Sequence, residues 1–155
     1  MNHRKHIRLQ HYNYSSPGAY FVTLVTRLRA PLFGYIKNEQ LIPTALGQLA
    51  EQQWLLLPSR LSGLQLDKFI IMPNHLHGLI WLDTEKKYSL SKVIAFYKAG
   101  VSRISHQKIW QHNFYERIIR DESELHFTRQ YIEQNPLRWE LDRYYEMTGS
   151  PDIAQ

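Results

Sequence analysis

The sequence predicts an α+β fold, and three features of it carry the prediction. Residues Ala19 to Thr26 are rich in β-branched and aromatic side chains, the composition of a strand. Leu64 to Met72 and Leu76 to Leu82 are two apolar runs joined by Pro73-Asn74, a hairpin-like link. Between and after them, over residues 44–57 and 90–104, apolar side chains recur at three and four, the spacing of an amphipathic helix. With a short strand at Tyr115 to Arg120 the order becomes β-α-β-β-α-β. That is the split βαβ pattern of a ferredoxin-like or RRM-like antiparallel sheet with helices on one face, here followed by one more helix.

Each element has its own signals. Tyr14-Ser15-Ser16-Pro17-Gly18 reads as a turn before the first strand. Pro31 and Gly34 interrupt the chain beyond that strand, leaving Leu32 to Ile36 as a short second piece. Thr44 offers an N-cap to the first helix, whose stripe is Leu46, Leu49, Gln53 and Leu56, and Pro58 and Gly63 close that region. Ser89 caps the second helix, with Val93, Ile94, Tyr97 and Val101 at helical spacing. Asp121 starts the last helix, which is expected to end near Gln134 because Pro136 has no N–H to donate and crowds the preceding turn. There is no internal repeat, and residues 1–150 read as a single domain.

Composition narrows the function classes. Of 155 residues, 43% are apolar, enough for a sizeable core, and none is cysteine, which excludes disulfides and thiolate metal sites. No run approaches the roughly 18 apolar residues of a membrane span. The start, Met1-Asn2-His3-Arg4-Lys5-His6-Ile7-Arg8, is basic but lacks the apolar stretch of a signal peptide, so a cytoplasmic protein is expected. A net charge of +5 combined with 13% aromatic residues suits a nucleic-acid partner, since phosphates need cations and unstacked bases need flat faces.

Chemistry enters at Met72-Pro73-Asn74-His75-Leu76-His77-Gly78. Strand side chains alternate, so His75 and His77 point the same way and can converge on one divalent ion, while Leu76, Ile80 and Leu82 anchor the strand from its other face. A polar pair at the start of so apolar a strand is costly without a partner. In the last helix Tyr131 and Asn135 stand four apart and share a face, with Gln134 beside them. Ile132 faces another way and can pack the helix down, and Glu133 is expected in solvent. A phenol can attack a phosphodiester and form a covalent intermediate. An amide oxygen from Asn135, joined to the two histidines, would put that phenol one helical turn from a metal.

These segments, with Trp110-Gln111, Phe114-Tyr115-Glu116-Arg117-Ile118-Ile119-Arg120 and Tyr131-Ile132-Glu133-Gln134-Asn135-Pro136-Leu137-Arg138-Trp139, resemble the REP-associated tyrosine transposases. These are single-tyrosine endonucleases of the His-hydrophobe-His class. The opening from Ile7-Arg8-Leu9 through Tyr14 to Pro17-Gly18-Ala19-Tyr20-Phe21-Val22-Thr23 is similar too, so the resemblance runs from about residue 4 to about 140. It implies Mg²⁺ or Mn²⁺ as cofactor, His75, His77 and Asn135 as metal ligands, and Tyr131 as nucleophile. It also implies cleavage and rejoining of single-stranded DNA at REP-like palindromic hairpins through a 5′-phosphotyrosine. Family members act as monomers or as homodimers. Tyr115, a second tyrosine in a matched segment, falls on the short strand and is set below Tyr131.

Cations that can line the path of DNA are Arg4, Lys5 and Arg8 in the basic arm, Lys98 and Arg103 with Lys92 on the second helix, and Arg117 and Arg120. Trp110 is read as a packing residue, and Trp54 and Trp81 as core or core edge. Two other functions fit parts of the pattern. A hydrolytic metallonuclease would use the histidines and an activated water without Tyr131. A catalytically silent single-strand binder would carry an RNP-like aromatic pattern on its sheet, which is absent here.

Overall fold

The computed structural model describes residues 18–83, 85 and 88–148, with side chains as far as residue 142. In chain order it contains strand β1 (Gly18–Val25), strands β2 (Gly34–Lys37) and β3 (Gln40–Pro43), helices α1 (Ala45–Leu55) and α2 (Leu57–Arg60), and strands β4 (Leu64–Met72) and β5 (His75–Leu82). Helix α3 (Leu90–Ser105), strand β6 (Tyr115–Ile118) and helix α4 (Glu122–Thr148) complete it. Four strands form one antiparallel sheet in the order β4-β5-β1-β6, and β2 pairs with β3 apart from it. This is the expected ferredoxin-like architecture.

The helices begin where the sequence places them. The Thr44 hydroxyl accepts from the Gly47 amide at 3.0 Å and the Ser89 hydroxyl from the Lys92 amide at 3.2 Å, satisfying donors that a first turn leaves open. At α4 the Asp121 carboxylate accepts from the Glu124 amide, and the Glu124 carboxylate accepts from the Arg120 amide, a reciprocal arrangement of the capping-box kind.

Two layers bury two faces of the sheet. On one, α1 and α3 cover Val22, Leu24, Leu76, Ile80 and Leu82, and Val93, Ile94, Tyr97 and Val101 of α3 are all buried. The buried face of α1 is Gly47, Ala50, Gln53 and Trp54, shifted from the leucine stripe because Trp54 is the residue that fills the space over the sheet. Its ring, with no exposed surface, packs edge-on to Tyr97 at 5.1 Å. On the other face Ile132 of α4 packs with Ala19, Leu79 and Ile119. The helices of the βαββαβ unit share one side, and the added helix takes the opposite one. Trp110 packs against Phe33 and Tyr97, and Trp81 sits half-buried at the core edge.

Two expectations are corrected. The short piece near Leu32 to Ile36 is the first arm of a hairpin whose turn, Asn38-Glu39, has positive φ at both positions (53° and 62°). Without a glycine there the turn carries no sequence signature. The last helix does not end near Gln134: it runs through buried Pro136 to Thr148. Tertiary contacts outweigh the proline, because the Glu140 carboxylate beyond it accepts from the Glu39 amide at 2.8 Å and ties the helix to the hairpin. Glu133 is exposed but forms an ion pair with Lys68.

Gly78 of β5 lies directly beneath Trp54, where an added Cβ would meet the ring at 2.6 Å. Gly78→Ala should therefore destabilise the fold by about 1–3 kcal/mol, as overpacking of a filled core does. Urea denaturation followed by tryptophan fluorescence checks this, and a loss below 0.5 kcal/mol (on the order of a surface change) would refute the close fit.

Candidate active site

The odd-numbered residues of β5 face α4, and the strand opens with His75 and His77 on that face. Their rings are 4.6 Å apart, centroid to centroid, at 67°. Opposite His77 in the β1 register is Thr23, whose Oγ1 lies 2.8 Å from His77 Nδ1. Phe21 stacks on His77 at 5.3 Å. His75 Nδ1 is 2.8 Å from the Asn74 Oδ1, and the Asn74 amide nitrogen donates to the Arg29 carbonyl. Asn74 therefore presents an acceptor, and Nδ1 of His75 must carry the proton.

Helix α4 brings the other groups to this pair. Tyr131 lies edge-on to His77 at 5.5 Å and to Phe21 at 6.2 Å. One turn on, Asn135 is buried with its amide nitrogen donating to the Tyr131 carbonyl at 3.0 Å. Its oxygen is then the atom that interacts with His75. Arg138 sets its guanidinium 5.1 Å over the Tyr131 ring, and Trp139 lies 6.3 Å from His75.

Burial governs the charge of the histidines. Desolvation pulls His75 down to about 4, against the opposing bond to Asn135 and aided by the charge of Arg29. Desolvation and neighbouring His75 take His77 down to about 3. Both rings are neutral at neutral pH. Among the described residues no third histidine, cysteine or carboxylate joins them. The donor set is thus two imidazoles and one carboxamide oxygen, and it fits a divalent cation for a specific reason. With Nδ1 of His75 bonded to Asn74, its Nε2 lone pair is left for a cation, and Asn135 brings a carboxamide oxygen to the same ring.

The position of α4 is set by a β-bulge. The β4–β5 register shifts between Leu66 and Phe69, and Asp67 and Lys68, which together stand opposite Leu79, both reach α4. Asp67 takes two bonds from Arg129, at 2.9 and 2.6 Å, and one from the Trp81 indole at 2.9 Å. Lys68 pairs with Glu133, one turn further along.

Of the residues singled out in the sequence, His75, His77, Tyr131 and Asn135 come together. Arg117 lies at the edge of the group, 5.5 Å over the Phe21 ring and bonded to Thr128. Arg120 is exposed at the start of α4, and Arg103 is exposed in the last turn of α3. Lys98 donates to the carbonyls of Gln111, His112 and Asn113 and stands away from the histidines. Arg4, Lys5 and Arg8 lie outside the described residues. Tyr115 pairs with Thr23 across β1 and β6 and is well exposed. The sequence reading missed Phe21, Thr23, Asn74 and Arg138. Arg138 had a signal, standing seven residues after Tyr131 on the same helical face, but an expected helix end near Gln134 removed it from view.

No family model matches the chain. An uncharacterized protein of Haemophilus influenzae is 35% identical to it, over 94% of each chain. The chain belongs to that protein's family. Among solved structures, a REP-associated tyrosine transposase bound to a REP hairpin superposes with a TM-score of 0.63 at 18% identity, covering 85% of this chain and 74% of that one. A candidate transposase from Deinococcus radiodurans superposes with a TM-score of 0.53 at 15% identity, covering 83% of this chain and 96% of that one. The family therefore has the fold of the REP-associated tyrosine transposases, as the sequence resemblance implied. No helix among the described residues is long and apolar enough to cross a membrane.

The Asp67 clasp yields a pH-dependent prediction. The Arg129 hydrogen bonds hold the carboxyl at about 2, below its ordinary 3.8. A depressed carboxyl stabilises the fold above its unfolded value, and that contribution is lost as pH falls towards 2. Asp67→Asn should cost about 1–2 kcal/mol at pH 7, reduced by solvent screening at the exposed Arg129 end. The gap to wild type should shrink to less than about half at about pH 2.5, just above the folded pKa. Denaturant titrations at both pH values check this, and an equal gap at both would refute it.

Proposed function

We propose that this chain is a DNA transposase that cleaves and rejoins single-stranded DNA at REP-like palindromic hairpins, with Tyr131 as nucleophile and a 5′-phosphotyrosine as intermediate. The observation that carries the reading is the junction of Tyr131 with His77 and of Asn135 with His75, two residues one helical turn apart meeting two strand neighbours. The hairpin-bound transposase among its structural neighbours supports a DNA partner of this kind.

His75, His77 and Asn135 would hold Mg²⁺ or Mn²⁺, which when bound supplies positive charge to the scissile phosphate. The protein's own residues do the rest. Asn74 and Thr23 fix the two imidazoles through their Nδ1 atoms, so that Nε2 is presented in each. Phe21 and His77 both lie edge-on to the Tyr131 ring and limit its orientations, which supports a phenol held for attack. Arg138, over the Tyr131 ring, would supply a cation to offset phosphate charge. A bond forms from the Tyr131 oxygen to phosphorus as the bond to the 3′-oxygen breaks. Attack by a 3′-hydroxyl on the same phosphorus reverses the step and rejoins strands, so no external energy source is needed.

The test is a labelled single-stranded hairpin oligonucleotide incubated with protein and Mn²⁺ and run on a denaturing gel. Wild type should give a band shifted by the mass of the protein, absent in EDTA. Tyr131→Phe should lose that band by at least about a thousandfold while binding the oligonucleotide as tightly as wild type. Joint replacement of His75 and His77 by Ala should abolish metal-dependent cleavage. Cleavage without the covalent band would instead identify a water-using nuclease, and covalent product with Tyr131→Phe would refute the nucleophile.

A further inference from the structure

The segment after β1 turns sharply beside the histidine end of the sheet. Leu28 (φ 56°) and Arg29 (φ 53°) both adopt the left-handed backbone conformation, which a branched side chain such as leucine disfavours. Leu28 is 92% exposed, so no packing within the protein explains its place. The turn is nevertheless rigidly tied. The Thr26 amide donates to the Asn74 carbonyl at 3.0 Å, the Arg27 amide donates to the Ile109 carbonyl at 2.9 Å, and the Asn74 side chain donates to the Arg29 carbonyl. One anchor is the residue that fixes the proton on His75.

The other anchor opens on a groove. It is an open trough of about 570 Å³ whose lining includes Arg27, Leu28, Lys98, Lys108 and Trp110, with no acidic side chain among the described residues. Lys98, whose bonds among the described residues are to carbonyls, adds a positive charge there. A basic trough with an exposed leucine held at its rim matches a nucleic-acid strand, whose phosphates need cations and whose unstacked bases need an apolar surface. An acidic peptide would satisfy the charge but would leave Leu28 unused.

We propose that this groove is a second DNA-contacting surface, carrying the single strand that adjoins the segment held at His75 and His77, with phosphates on Arg27 and Lys108 and one base against Leu28. This rests on the reading of the site as one that acts on single-stranded DNA. Asn74, bonded both to the Arg29 carbonyl and to His75, ties the turn at the groove's rim to the histidine pair.

Fluorescence anisotropy with a fluorescein-labelled, mixed-sequence single strand tests it, alongside the covalent gel assay. Joint Arg27→Ala and Lys108→Ala should weaken binding about tenfold or more and flatten the salt dependence by roughly 1.4 in log–log slope, two single-strand phosphate contacts' worth. Leu28→Gly removes the side chain and suits the backbone. It should weaken single-strand binding about three- to tenfold, leave the salt slope unchanged, and shift the thermal midpoint by no more than a few degrees. Wild-type binding and covalent reaction with unchanged affinity in both variants would overturn the groove while leaving the active site standing. Failure of wild type to bind or react with any strand would overturn both. Displacement of the labelled strand by polyglutamate as readily as by unlabelled DNA would assign the groove to acidic peptides and overturn it too.

Discussion

Strand β5 is the constraint on which the rest of the molecule depends, because its eight residues serve two different layers in strict alternation. Leu76, Gly78, Ile80 and Leu82 belong to the core under α1 and α3, while His75, His77, Leu79 and Trp81 face α4. A slip of one residue would exchange the two sets, burying imidazoles among leucines and exposing the core, so the apolar pattern fixes the register as firmly as any hydrogen bond. Gly78 shows how tight the arrangement is: the tryptophan that closes the core lies over the very residue next to the second histidine. Stability on one face and chemistry on the other are thus set by the same strand, and β1, paired to it, delivers Thr23 to His77 as a consequence.

The second half of the site arrives from far along the chain, and its placement is a docking problem. Ile132, with Leu125 beside it, supplies the apolar contact of α4 with the sheet, but so small an apolar contact does not choose a rotation. The bulge in β4 does, since Asp67 and Lys68 engage Arg129 and Glu133, four residues apart on one face of the helix. Tyr131 lies between them in sequence and is turned toward the histidines. Pro136 fits this picture. It cannot donate to the Ile132 carbonyl, and the buried Asn135 just before it donates from its side chain to the Tyr131 carbonyl, which orients its oxygen toward His75. The helix is then held again at Glu140 by the β2–β3 hairpin.

Local interactions were legible in the sequence, and long-range ones were not. His75 with His77, and Tyr131 with Asn135, are related by strand and helix periodicity, so their common faces could be read from spacing alone. Thr23 and Phe21 reach His77 only through the pairing of β1 with β5, and no spacing records that. The course of α4 past Pro136 was hidden for a similar reason. The local rule for proline is sound, and contacts with a hairpin 101 residues earlier, counted from Glu39 to Glu140, override it. The hairpin itself escaped notice because Asn38-Glu39 adopts a glycine-favouring turn without glycine. Trp54 displaced the apparent leucine stripe of α1 because one large ring outweighs several smaller side chains in filling a fixed volume.

The electrostatics of the site tie its parts to its substrate. Two neutral imidazoles and a carboxamide bring no negative charge, and the acidic side chains nearby on β4 and α4 are engaged elsewhere, Asp67 by Arg129 and Glu133 by Lys68. Around the site stand cations: Arg29 close enough to influence His75, Arg117 over Phe21 and Arg138 over Tyr131. A divalent ion in such a place keeps its full charge and meets repulsion from its surroundings until an anion arrives. If the chain acts on DNA as proposed, the phosphodiester is that anion, and ion and strand must then strengthen one another's binding by the same factor. A carboxylate among the ligands would have loosened this coupling by holding the ion in the absence of DNA. On that reading, asparagine rather than a carboxylate at position 135 would make an assembled centre conditional on the strand to be cut.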